Sequence, residues 1–78
     1  MKTYMGWYET INGKRNAAKV AKAFNAHGLE TRVDQLIERI GTETPRPSNR
    51  YVVIVKNPGE QYQLFKDKCA RIFRESMQ

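Results

Sequence analysis

Four basic residues near the N-terminus, Lys14, Arg15, Lys19 and Lys22, have the chemistry and spacing to bind phosphate groups. Arg15, Lys19 and Lys22 are four and three positions apart, so on a helix they form one continuous row, here called the basic ridge. No acidic residue lies in this helix or in the loop before it. A phosphate group could bind Lys14, Arg15 and the free backbone N–H groups at the start of the helix. The same pattern also fits a solvated helix face.

Tyrosines are the second group of residues suited to nucleic acid, because aromatic side chains stack on the bases of single strands. Residues 3–10 alternate as in a strand, with Trp7 on one face and Tyr4 and Tyr8 on the other. If Trp7 faces the helices, both tyrosines lie on the open face of the sheet. The neighbouring strand is expected to add Tyr51, Val53 and Val55 to that face. Such a face equally fits burial against a second copy of the chain.

The sequence offers little for catalysis or metal binding. It contains one histidine, His27, and one cysteine, Cys69, and its acidic residues are scattered. His27 falls at a helix end, where histidine is commonly structural, and Cys69 falls on an apolar helix face as a small core residue. A nucleophilic pair needs a third, orienting group, and structural zinc needs four Cys or His ligands. We therefore predict that the protein is not an enzyme and holds no cofactor or metal.

Composition narrows the class of partner. Fourteen Lys and Arg against eight Asp and Glu give a net charge of +6 and an isoelectric point near 9.8. This charge favours nucleic acid or an acidic protein surface, and Arg46 is counted among the candidate contacts. The chain length predicts one small basic domain over residues 1–78. A single cysteine, with no signal-peptide-like or membrane-spanning segment, indicates a cytoplasmic protein.

The chain is organised around residues 51–55, five consecutive apolar residues of which four are β-branched. Such a run predicts a central strand that is contacted on both faces. Two amphipathic helices, over residues 16–27 and from about 60 to 77, are predicted to cover it. The second helix has a predicted buried face made of Tyr62, Phe65, Cys69, Ile72 and Phe73. Leu64 is expected to point outward.

Residues 29–40 fit two structures. Leu29, Thr31 and Val33 alternate as in a strand, whereas the apolar residues from Val33 to Ile40 also fit a helix. We favour an extended segment over residues 31–37, because a central strand as apolar as 51–55 needs a neighbour on each edge. Residues 41–49 contain two prolines and a glycine and are predicted to form an exposed, flexible loop.

These elements predict an α+β fold in the order β-α-β-β-α. A right-handed crossover makes the first and second strands parallel, and the most apolar third strand fits between them, antiparallel to both. The sheet order is then 1-3-2, with both helices on one face. This ferredoxin-like layout, which lacks a fourth strand, resembles that of SPOR domains and RNA-recognition motifs. The likeness covers the layout, because the glycine and aromatic pattern of an RNA-recognition motif does not occur in residues 50–56.

Two functions follow from charge, aromatic residues and size. The first is a small accessory protein that binds nucleic acid, RNA or single strands in preference to duplex DNA, because the chain shows no recognition-helix motif for the major groove. The second is a phage- or plasmid-encoded inhibitor that docks on a host protein through charge and an open sheet edge. We also expect a homodimer, paired through the edge of the first strand or through the tyrosine face, because an edge without proline or charge promotes pairing.

Overall fold

A computed structural model describes residues 5–38, 41 and 44–78. Its five elements follow the predicted order. They are β1 (Trp7–Asn12), α1 (Lys14–Ala26), β2 (Thr31–Glu38), β3 (Arg46–Val55) and α2 (Tyr62–Ser76). Within residues 29–40, whose pattern fitted both a strand and a helix, the described residues Thr31–Glu38 form the strand β2.

The sheet has the predicted order β1-β3-β2, with both edge strands antiparallel to β3. The central position suits β3, because Val53 and Val55 are completely buried and β-branched side chains favour extended backbone. Ile54 lies opposite Tyr8 on one side and Arg32 on the other. The β2–β3 register shifts between Gln35 and Ile37, so the regular part of β2 is the segment 31–35.

Both helices cover one face of this sheet, as predicted. The core they share with the strands is formed by Ile11, Ala17, Val20, Phe24, Leu29, Val53, Val55, Phe65, Cys69 and Ile72. Trp7 lies at its border, with ring centroids 5.3 Å from Phe24 and 5.8 Å from Phe73. Tyr62 was predicted to be buried and is exposed, because it begins α2 at the helix end. Leu64 is exposed as expected.

The end of β1 and the start of β3 differ from the prediction. β1 continues to Asn12, although Asn12 and Gly13 resemble a turn, because Ile11 is buried in the core. β3 begins at Arg46, so the second half of the predicted loop 41–49 is strand. The residues of the segment 44–49 are mostly exposed.

Asn57 fixes the chain after β3. Its side chain is almost fully buried and donates from Nδ2 to the carbonyl oxygens of Met5 and Glu60. Its Oδ1 accepts from the backbone N–H groups of Gly59 and Glu60. A buried amide satisfied in this way ties the start of the chain to the segment that leads into α2.

None of the helices in the described part of the chain has the length and apolar character needed to span a membrane.

Candidate nucleic-acid interface

The start of α1 is set by its junction with the sheet. Gly13 has φ 91°, a conformation that suits glycine, and its N–H bonds to the carbonyl oxygen of Asn49 at 2.7 Å. The Asn16 side chain donates to the Asn12 carbonyl at 3.0 Å. The strand thus turns directly into a helix whose first residue is Lys14.

The buried stripe of α1 determines where its cations lie. Ala17 and Val20 face the core, and the helical periodicity places the basic ridge on the opposite side. Arg15, Lys19 and Lys22 are all exposed. With a rise of 1.5 Å per residue, the ridge is about 10 Å long, which allows contact with a few consecutive phosphates.

The ridge lies on a helix that carries four cations and no acidic residue. Within the described part of the chain, no carboxylate lies within salt-bridge distance of Lys14 or of the ridge. Elsewhere, three cations form pairs at 3.0 to 3.6 Å, which are Arg32 with Asp34, Lys56 with Glu30, and Lys68 with Glu60. The exposed cations of α2 that form no pair share their helix with two acidic residues. α1 therefore has the largest net positive charge of the five elements.

The first turn of α1 adds to this potential. It contains no acidic residue, and no side chain caps its N–H groups. These groups carry the positive end of the helix dipole, and Lys14 and Arg15 add two charges at the same place. Cations are unfavourable there, so an anion that approaches α1 from this end relieves a repulsion within the protein.

The prediction of which residues share the open face with Tyr8 is wrong. Tyr8 lies on the open face and is 71% exposed, as predicted. Tyr51 packs against the core on the helix-covered face, and its hydroxyl accepts a hydrogen bond from Gln35 Nε2 at 3.1 Å. Val53 and Val55 are buried on the same side. The cause is the register, which sets Tyr51 opposite the buried Ile11.

The other two predicted contacts are Tyr4 and Arg46. Tyr4 lies outside the described residues. Arg46 belongs to β3, where it stands opposite Glu38 of β2. Tyr8 and Tyr51 therefore lie on opposite faces of the sheet and do not form a cluster of stacking tyrosines. The sequence analysis did not identify Arg32, which lies on the open face together with Tyr8.

Cys69 and His27 do not form a catalytic constellation. The Cys69 thiol is fully buried, and burial raises its pKa to about 11, with smaller opposing effects of Lys68, which lowers it, and Glu60, which raises it. The thiolate needed for nucleophilic attack is thereby disfavoured. His27 caps the C-terminus of α1 through its backbone. Among the described residues, no group of His, Cys, Asp or Glu could hold a metal ion.

A hollow on the surface lies at the opposite end of α1. It has a volume of ≈ 460 Å³ and is lined by Gly28, Leu29, Glu30, Lys56, Asn57 and Pro58. Its charges are already balanced by the pair of Lys56 and Glu30, and its buried amide, Asn57, is fully bonded. This hollow lacks the unsatisfied charge that distinguishes the basic ridge.

Comparisons of the chain with protein-family models, with curated proteins and with solved structures found no match.

Proposed function

We propose that the protein binds nucleic acid through the basic ridge, with RNA or other single strands preferred over duplex DNA. The observation that carries this proposal is the charge of α1, which has four exposed cations and no acidic residue. Phosphate contacts would supply the missing counter-charges, and their release of counterions would contribute most of the affinity.

The position of the ridge supports the preference for single strands. α1 lies in a layer beside α2 and on the sheet, so its accessible surface is one outer strip, and the chain shows no recognition-helix motif for the major groove. A flexible strand can follow a strip about 10 Å long. Since Tyr8 lies on the opposite side of the molecule, binding at the ridge depends on phosphates and carries little base specificity. We place this activity in a reducing, cytoplasmic compartment, in keeping with a single buried thiol.

The decisive experiment reverses the ridge charges. We expect the triple variant Arg15→Glu, Lys19→Glu, Lys22→Glu to lose binding to a single-stranded RNA oligonucleotide, measured by fluorescence anisotropy at two salt concentrations. The fold should persist, because these side chains are exposed and lie opposite the buried stripe. The log-log salt dependence should flatten by about 0.7 for each phosphate contact removed.

A matched control separates the ridge from net charge. The variant Lys66→Glu, Arg71→Glu, Arg74→Glu changes three exposed cations of α2 and lowers the net charge equally, from +6 to zero. We expect it to keep most of the affinity. Equal losses in the two variants, or no binding of RNA even at low salt, would contradict the proposal. Docking on an acidic protein surface would then be the better hypothesis.

A further inference from the structure

The outer edge of β2 presents a regular set of unpaired backbone groups. The N–H of Lys56 bonds to the Glu30 carbonyl at 2.9 Å, which continues the β2–β3 register. Antiparallel pairs alternate between hydrogen-bonded and non-hydrogen-bonded residues. The even residues of β2, such as Arg32 and Asp34, therefore point their N–H and C=O groups toward β3. The odd residues Thr31, Val33 and Gln35 point theirs outward, where no strand among the described residues pairs with them.

The charges on this edge are symmetric about Val33. Arg32 precedes it and Asp34 follows it, and both side chains lie on the open face of the sheet. If a second β2 pairs antiparallel with Val33 at the centre, Arg32 of each copy lies opposite Asp34 of the other, in addition to Asp34 of its own chain at 3.0 Å. These are non-hydrogen-bonded positions, where side chains across the strands come closest.

We propose that two copies of the chain pair through the outer edges of β2, antiparallel and centred on Val33. Val33 then exchanges both backbone hydrogen bonds with Val33 of the second copy, and Thr31 does so with Gln35 of the second copy. Val33 is 39% exposed in the single chain, and this contact covers it. The regular segment 31–35 ends where the register shifts, so the paired segment matches the regular part of the strand.

The edge of β1 is less suited to the same pairing. The bond from Gly13 N–H to the Asn49 carbonyl shows that the odd residues of β1 are hydrogen-bonded to β3. The backbone groups of Tyr8, Thr10 and Asn12 therefore point outward. Pairing centred on Glu9 places two like charges opposite each other. Pairing centred on Thr10 overlaps over the same number of residues, but it needs the Asn12 carbonyl, which already accepts from Asn16. We therefore favour pairing through β2 over the expected dimerisation through the edge of the first strand.

The dimer has a consequence for the molecular surface. Pairing of β2 with β2 gives one continuous six-stranded sheet, and a two-fold axis perpendicular to that sheet leaves both helix layers on the same side. The basic ridges of the two copies then face the same direction. The dimer itself does not depend on what the ridges bind, because no ridge residue takes part in the pairing.

Charge reversal tests the pairing directly. We expect Arg32→Asp and Asp34→Arg, each alone, to raise the dimer dissociation constant about tenfold or more, because each brings like charges together twice. The double variant Arg32→Asp, Asp34→Arg should dimerise like the natural chain. A mixture of the two single variants should form a heterodimer. Sedimentation velocity measures each case against the 9.1 kDa monomer.

Cross-linking identifies the paired edge. In a hydrogen-bonded antiparallel pair the Cα atoms are about 5.5 Å apart, within the range of a disulfide. The variant Val33→Cys should therefore form a covalent dimer on mild oxidation, whereas Thr10→Cys on β1 should not, and the buried Cys69 should not react in either. Natural chain that sediments as a monomer at millimolar concentration, or a Thr10→Cys variant that cross-links as fast as Val33→Cys, would overturn the proposal.

Discussion

The two faces of the sheet are formed by alternate residues of the same strands, and they differ in what covers them. On one face, Val53 and Val55 are completely buried beneath the helices. On the other, Ile54 is 38% exposed between Tyr8 and Arg32. Neighbouring residues of almost the same chemistry therefore contribute differently to the fold. Apolar character along β3 shows that the strand is central, and the helices decide which face becomes the core.

The largest difference between the faces should appear when adjacent residues of β3 are truncated. We expect Val53→Ala to lower the free energy of unfolding by about 2 to 3 kcal/mol, because it leaves a cavity under the helices. Ile54→Ala removes more atoms but from a partly solvated site, and should cost about 1 kcal/mol. Urea denaturation monitored by circular dichroism compares the two. Equal losses, or a larger loss for Ile54→Ala, would show that the two faces are equally packed.

An intermediate effect is expected for the pH dependence of stability, through the Cys69 thiol on the covered side of the sheet. The folded Cys69 thiol has a pKa of about 11, above its ordinary value of 9.0, so between these values the folded state holds a proton that the unfolded state releases. Stability from this group is complete below pH 9 and is lost as pH rises toward 11.

The control for this effect is Cys69→Ala, which lacks the titrating thiol. In denaturant titrations, the natural chain should have a higher free energy of unfolding than Cys69→Ala at pH 9. We expect this difference to decrease as the pH rises to 11. A constant difference across this range would mean that the thiol is not shielded from solvent when the protein is folded.

The smallest effect is expected at Tyr8 on the open face. Because its side chain is mostly in solvent, Tyr8→Ala should change the free energy of unfolding by no more than about 0.5 kcal/mol. It should also leave RNA affinity at the ridge unchanged, since Tyr8 lies on the other side of the molecule. A clear loss of RNA affinity in anisotropy titrations would show that the open face takes part in binding.

The strand order and helix positions could be predicted because they depend on strong local patterns. The apolar run 51–55 and the stripe of Ala17, Val20 and Phe24 each allow one interpretation. The face occupied by Tyr51 could not be predicted, because every residue of 51–55 is apolar and either alternation is acceptable. The outcome depends on β1 continuing to Ile11, which pairs with Tyr51.

The candidate site shows the same limit. The exposure of Arg15, Lys19 and Lys22 followed from helical periodicity alone. The charge symmetry of Arg32 and Asp34 about Val33 is visible in the sequence, and the predicted order 1-3-2 already makes β2 an edge strand. Its meaning depends on which residues of β2 turn their backbone groups outward. The sequence pattern does not show this, since it depends on contacts between distant segments.

The bonds of Asn57 have a consequence for the order of folding. The residue joins its own loop to Met5, which lies 52 positions earlier in the chain. Closing so long a loop costs entropy, so we expect this junction to form late, after β1 has paired with β3, and to contribute little to the folding transition state. In the reverse direction, we expect its release to let the N-terminal segment detach while the β2–β3 hairpin stays paired. Unfolding should therefore begin at the first strand, and hydrogen exchange there should be faster than in β3.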